Sequence, residues 1–245
     1  MAKPWRVTDP KRATATSWFL NDAFSDYIAS RVLFLSQSPK QAALLCSTAI
    51  EKCVKALLAI KGNVSSGHLK RAHWNVLQND KDIRNVIAKE FFELNRRAYR
   101  LRYSDDLPMH FNLVIASREF LAEMDSALLT ILSCFSVERN AKRRRTGYEA
   151  AINNRDERLL AENHILSGTP KKAFIRAKPQ VIYEIRRDSV RGLFEMTYVS
   201  DKPAKVQGFL RPALVAVDST GHDLSHYPTP GTVSVFADGQ ELIGS

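Results

Sequence analysis

Apolar residues recur at helical intervals through the first half of the chain, most densely over residues 42–60. There Ala42, Leu45, Cys46, Ala49, Cys53, Ala56, Leu57 and Ile60 fall at the three-and-four spacing of one face, and Ala43, Ile50, Val54 and Leu58 add a second ridge beside it. A helix with two apolar ridges is expected to lie centrally, packed on two sides. Glu51, Lys52 and Lys55 occupy the narrow polar strip that remains, Glu51 standing four residues before Lys55 in the favourable order. Gly62 stands where a helix stops in a left-handed conformation.

The same period predicts three further helices. From Leu20, the positions Ala23, Phe24, Tyr27, Ile28, Val32 and Leu35 form an inward stripe, and Pro39 then marks a turn and a new start. Over residues 80–101, Ile83, Val86, Ile87, Phe91, Leu94, Ala98 and Leu101 face inward, with Lys89, Arg96, Arg97 and Arg100 crowding the other side. Asp80 or Asp82 is a plausible cap. A last long helix is expected from about Asn112 through Leu113, Ala116, Phe120, Met124, Ala127, Leu128 and Ile131 to Phe135. Residues 146–168 read as a connecting helix that ends near Gly168, Thr169 and Pro170.

Beyond that point the period changes from helical to alternating. Residues 180–186 and 193–199 are aromatic and β-branched runs separated by a polar stretch ending in Gly192, the pattern of a hairpin. Residues 207–210, 213–217, 232–236 and 241–243 are further candidate strands, punctuated by Pro203, Pro212, Gly221, Pro228 and Pro230. The expected fold class is therefore α+β: an N-terminal all-α up-and-down helical bundle over 1–138, a basic linker with a connecting helix over 139–169, and a small antiparallel β domain over 170–245.

Charge changes this picture by its distribution. The net of +10 divides into +5 for residues 1–138, +8 for 139–191 and −3 for 192–245. The basic excess peaks in the middle, where Arg139, Lys142, Arg143, Arg144 and Arg145 form a run, followed by Lys171, Lys172, Arg176, Lys178, Arg186, Arg187 and Arg191. Such density attracts a polyanion, and phosphate contacts make binding salt-dependent; a solvated linker face is the bland alternative. Cys46, Cys53 and Cys134 all fall on apolar helical faces and read as small buried hydrophobes, not a disulfide framework. No apolar run reaches the ~18–20 residues needed to cross a bilayer, and residues 1–18 lack the apolar core of a secretory signal, so a cytoplasmic protein without membrane contact is expected.

Three short motifs, in order, carry a resemblance: Ala49-Ile50-Glu51-Lys52-Cys53-Val54-Lys55-Ala56, then His68 in a turn, then Arg102-Tyr103 after a long basic helix. Over about residues 18–138 the chain resembles the HEPN superfamily of small all-helical nucleotide-binding and RNA-targeting domains. Leu69 stands where that family usually has aspartate after the histidine, and Ser104 where it has proline after Arg-Tyr. The resemblance implies that Lys52, Lys55, His68, Arg97, Arg100 and Tyr103 border a groove in which cationic groups hold phosphate and the phenol ring stacks on a base. Beside it stand blander readings: a solubilising ion pair on the helix for Glu51 and Lys55, a core tyrosine, and a backbone-bonded turn histidine. Lys142, Arg143, Arg144 and Arg145 are the candidate nucleic-acid contacts outside the groove.

Ribonucleases of that superfamily carry an arginine followed after four to six residues by a histidine, two such pairs meeting across a dimer. The candidate pair here is Arg102 and His110, with seven residues between them, one being Pro108. His73 follows Arg71 too closely, and Arg96, Arg97 and Arg100 have no histidine at the needed distance. The resemblance thus implies a nucleotide- or RNA-binding homodimer of a toxin–antitoxin or antiviral defence type, with an antitoxin as partner and without the usual motif. The alternatives are a metal-independent endoribonuclease using Arg102 and His110, and a non-enzymatic scaffold presenting Tyr183, Phe194 and Tyr198 at a sheet edge. His222, Asp223 and His226 lack a fourth ligand, so no metal site is expected. No phosphate-binding glycine loop, dinucleotide fingerprint or hydrolase elbow occurs, so no cofactor is expected.

Overall fold

The computed structural model describes residues 5–62, 88–103, 105, 107, 111–139, 142–143, 145–177, 179–188, 192–200, 234–237 and 240–243. Two long helices form its frame. α1 (Pro10–Leu35) opens on Asp9, whose carboxylate accepts the Arg12 N–H at 2.8 Å, and has proline at its start. The chain reverses through Ser36–Ser38, with Gln37 at φ 61°, and returns as α2 (Pro39–Ile60). Both apolar ridges of α2 are buried: Ala42, Ala43, Cys46, Ala49, Ile50, Cys53, Val54 and Ala56 are fully inaccessible. The many small residues let α1 come close, near enough for the Ser30 hydroxyl to donate to the Ala42 carbonyl at 2.7 Å. Gly62 ends the turn of the helix at φ +83°, its N–H on the Ala59 carbonyl.

α2 packs on α1, on α3 (Lys89–Ala98), on the 3-10 helix that continues it (Tyr99–Arg102), and on α4 (Ser117–Ser133). Residues 80–87, where the third helix was expected to begin, lie outside the described residues. Phe34, Phe91 and Phe120 meet at the centre, with Phe34 and Phe120 centroids 4.5 Å apart and Tyr183 set edge-on to Phe34 at 5.5 Å.

The expected helix over 112–135 is a correction. Residues 112–116 form strand β2 (Asn112–Ala116), the helix occupies only Ser117–Ser133, and the chain leaves it as β3 (Phe135–Arg139). Leu113, Val114 and Ile115 are a continuous apolar run, which fits either period. They become a strand because both faces are covered: Leu113 and Ile115 join the main core, while Val114 and Ala116 cluster with Ile182. β1 (Trp5–Val7) runs parallel to β3, and β4 (Lys142–Arg143) folds back on β3, so the basic run follows a strand and not a helix.

The main sheet is antiparallel in the order β2-β5-β6-β7-β8, with β5 (Gln180–Asp188) and β6 (Gly192–Ser200) forming the expected hairpin, followed by β7 (Ser234–Ala237) and β8 (Gln240–Ile243). β2 pairs with β5 from Asn112↔Arg186 to Ala116↔Ile182, so the sheet is continuous with the helical part. The fold is α+β, helices first and antiparallel sheet after. Tyr183 and Phe194 are buried rather than displayed at an edge. The candidate strands at 207–210 and 213–217 lie outside the described residues.

The expected connecting helix over 146–168 is also a correction. It breaks into α5 (Gly147–Asn153), with a capping box between Thr146 and Glu149, and α6 (Glu157–Leu160), capped by Asp156. Arg155 and Glu162 both take positive φ between and after them. Gly147 is required by close approach, since a Cβ there would sit 2.9 Å from Phe24 Cδ1. A further helix that the periodicity did not reveal, α7 (Lys171–Arg176), follows Pro170 and packs on α4.

The core contains an ion pair. Arg31 and Asp125 are both fully buried and bonded to each other, and the Tyr27 hydroxyl donates to the same carboxylate oxygen at 2.7 Å. Arg31 Nε donates to the Arg158 carbonyl at 3.1 Å and its terminal nitrogen to the Ala161 carbonyl. Burial pushes the Asp125 carboxyl up, against the pull of Arg31 and Tyr27. Cys46 and Cys53 are buried, and burial pushes both thiols up; Cys134 is half-buried at the end of α4 rather than on a helix face. Asp125→Ala leaves the buried guanidinium without its carboxylate and is expected to cost about 3–5 kcal/mol. Urea denaturation checks this, as a fall in midpoint at constant slope.

Candidate ligand-binding rim

α3 ends where the backbone tightens into the 3-10 helix, and that change of pitch sorts its side chains. Leu101 turns inward and is buried, whereas Arg100, Arg102 and Tyr103 turn out. Tyr103 is 53% exposed, a large value for an aromatic residue. The Arg102 guanidinium lies over the Tyr99 ring at 5.4 Å. Burial pushes the Tyr99 phenol up; Arg102 opposes this, and Glu51 and Tyr103 add to it by their proximity. No carboxylate among the described residues pairs with Arg100 or Arg102.

Arg97 is occupied differently. Glu93 is held by Arg96, whose Nε donates to it at 2.8 Å, and Arg97 Nε lies 3.6 Å from the same carboxylate. The hydrogen bond and charge of Arg96 hold the Glu93 carboxyl below the usual range.

On α2 the two lysines diverge. Lys55 Nζ sits 2.8 Å from Glu51, which is buried, on the side that meets the 3-10 helix. Lys52 turns to α1, with its Nζ 2.8 Å from Asp26 and 3.9 Å from Asp22, and the Thr48 hydroxyl also donates to Asp26 at 2.7 Å. Of the residues expected to share a groove, Arg100 and Tyr103 lie together at the 3-10 helix beside Arg102, Lys55 pairs with Glu51 on α2, and Lys52, one turn before Lys55, reaches across to α1. His68 and His110 lie outside the described residues.

The segment that follows Tyr103 is tied to the sheet. Arg187 on β5 donates through its guanidinium to the carbonyls of Asp105 (2.7 Å) and Leu107, and its backbone N–H donates to the Phe111 carbonyl at 2.9 Å. Leu107 and Phe111 are buried, so the chain is anchored on both sides of residues 108–110. Elsewhere, Lys142 and Arg143 form the short strand β4, Arg144 lies outside the described residues, and Arg145 is exposed beside a shallow depression that it lines with Glu149, Ile152 and Asn153.

One arginine–histidine pair does have the ribonuclease spacing and was missed because it lies in the connecting segment: Arg158 and His164, with five residues between them. Its geometry is structural. His164 is buried, its Nε2 3.3 Å from the Ser126 hydroxyl and the Ala122 carbonyl and its Nδ1 3.3 Å from the Thr169 carbonyl. Arg158 points outward onto Asp156, 2.7 Å away. Neither ring nitrogen is placed to reach a ribose hydroxyl.

A helical hairpin packed on two further helices, with a cationic and aromatic edge where the third one ends, defines a small helical-bundle domain. Residues 16–124 match the family model of the HEPN domain, so that stretch is similar to HEPN domains. No curated protein and no solved structure matches the chain. No described helix is long and apolar enough to cross a membrane, and no group of metal-binding side chains occurs among the described residues. Glu51→Ala strips a mostly buried ammonium of its carboxylate and is expected to cost about 1–3 kcal/mol, whereas Lys52→Ala removes a more exposed pair worth up to about 1 kcal/mol. Chemical denaturation of the two variants side by side checks the order.

Proposed function

We propose that the protein binds RNA or a nucleotide at the edge formed by Arg100, Arg102 and Tyr103, with Lys55 behind them. The observation that carries this reading is the exposed Tyr103 ring beside two guanidiniums that no described carboxylate neutralises. Guanidinium forks suit phosphate, and an open phenol face suits a base. The family match supports the same ligand class. In this reading the protein is a homodimer of a toxin–antitoxin or antiviral defence type, with an antitoxin protein as partner. Fluorescence anisotropy with labelled single-stranded RNA at low salt tests it. Arg100→Glu with Arg102→Glu is expected to weaken binding at least tenfold and flatten its salt dependence; Tyr103→Ala costs about 1–3 kcal/mol and Tyr103→Phe much less. Wild-type affinity in all three variants overturns the reading.

A second reading is favoured by one observation, the anchoring of the chain by Arg187 on both sides of residues 108–110. It makes the protein a metal-independent endoribonuclease with Arg102 and His110 as the reacting pair. Cleavage of labelled RNA in the presence of a chelator, lost in His110→Ala, is the expected result; intact RNA with the wild-type protein excludes it.

A further inference from the structure

The basic stretch over residues 139–191 carries a net of +8, and the fold divides its cations into those with structural partners and those without. Arg158 is held by Asp156, Arg186 lies 2.5 Å from buried Glu184, Arg187 spans backbone carbonyls, and Lys171 Nζ lies 2.7 Å from Glu123. Lys172 and Arg176 on α7 are exposed and pair with no carboxylate among the described residues. They are one turn apart on the same face of the helix, with Cβ atoms about 5–6 Å apart.

Beneath them α7 is fixed to α4 with unusual thoroughness for six residues. Phe174 is buried between the Arg118 guanidinium, 5.5 Å from its ring centre, and the His164 ring at 5.7 Å. Ile175 is buried as well. Arg118 itself is half-exposed and likewise lacks a carboxylate partner among the described residues. The result is a cationic ridge of Lys172 and Arg176 on the outer face of an anchored helix, with Arg118 at the side where Phe174 packs and the acids Glu119 and Glu123 buried in α4.

We infer that this ridge is a second contact for the RNA backbone, one that engages strands longer than the rim can hold. It rests on the RNA reading above. The ligand is a polyphosphate chain and not a bilayer, because the apolar residues Phe174 and Ile175 face the core and leave α7 no surface to insert into lipid. The ridge and the rim lie towards opposite ends of the β2–β5 ladder: Arg187 binds the segment that follows the rim beyond the Asn112↔Arg186 end, and α4 starts after the Ala116↔Ile182 end. Five strand residues span about 17 Å. A mononucleotide therefore reaches one site and an oligonucleotide both.

The test measures binding of a labelled 20-nucleotide single-stranded RNA and of a labelled mononucleotide across a salt series, with circular dichroism as a control for folding. Lys172→Glu with Arg176→Glu is expected to weaken 20-mer binding about tenfold or more at low salt and to lower the log–log salt slope by roughly 1.4, that is about 0.7 for each of two phosphate contacts. Mononucleotide binding stays at the wild-type value. Lys172→Gln with Arg176→Gln gives the same slope change without reversing charge. Wild-type slope and affinity for the 20-mer in both double variants overturn the inference even if the rim variant Arg100→Glu with Arg102→Glu binds poorly. Ridge-dependent 20-mer binding that survives in the rim variant overturns the rim reading instead, and a wild-type protein that holds no 20-mer overturns both.

Discussion

The pairing of Arg31 with Asp125 constrains the rest of the molecule. A guanidinium and a carboxylate removed from water lose several kcal/mol of hydration each, and they stay ionised only if their partners are in place. Arg31 belongs to α1, Asp125 to α4, and the two carbonyls that complete the guanidinium belong to α6 and the turn after it. Tyr27 supplies a further donor from one turn earlier on α1. The arrangement closes only when three stretches of chain far apart in sequence have reached their final positions. Apolar packing of the α1–α2 hairpin tolerates sliding and rotation; a buried fork with directional partners does not. The pair sets the register of the bundle more than it adds to its stability.

With α1 and α4 fixed, α2 has one place to go, and its small residues suit it. Every turn presents alanine, cysteine or valine to a neighbour, so the helix is buried on two sides and its polar strip is forced to the edges. On that strip Lys52 reaches across to Asp26 of α1, whereas Lys55 pairs with Glu51 of its own helix. The sheet enters the same frame through β2, whose alternate residues face the helical core and a small cluster with β5. Arg187 then ties the segment after Tyr103 to that sheet. The position of the cationic edge thus depends on residues at both ends of the chain.

The helices with strong period, α1 from Leu20 onward and α2, were legible because their apolar residues recur through about four to five turns. Short apolar runs were not: Leu113, Val114 and Ile115 satisfy helix and strand alike, and only the arrival of β5, some seventy residues later, decides between them. α7 escaped notice because six residues give no period to read. Arg31 and Asp125 were visible in principle, as charged residues standing in apolar stripes, but a stripe does not say which partner fills the gap. The spacing of Arg158 and His164 was readable too, and reading it would have misled, since burial of the imidazole is a property of packing. Among the candidate site residues, the side of α2 on which a lysine falls follows from helical geometry, whereas its carboxylate partner depends on which helix lies alongside.

The distribution of partners among the cations says more about function than their number. An arginine that meets a carboxylate or a pair of carbonyls is spent on the fold, as Arg31, Arg186 and Arg187 are. One left without them retains its attraction for an external anion, and the rigid backbone beneath it confines the ordering cost of binding to the side chain itself. Arg100 and Arg102 are held on a 3-10 turn that rests on α2, and Arg118, Lys172 and Arg176 on two helices locked together by Phe174. Positive charge beside the exposed Tyr103 ring suits a flexible polyanion with stacking bases better than it suits a compact protein partner, whose carboxylates would need to match each fork individually. Both cationic surfaces are made of side chains that no carboxylate among the described residues pairs.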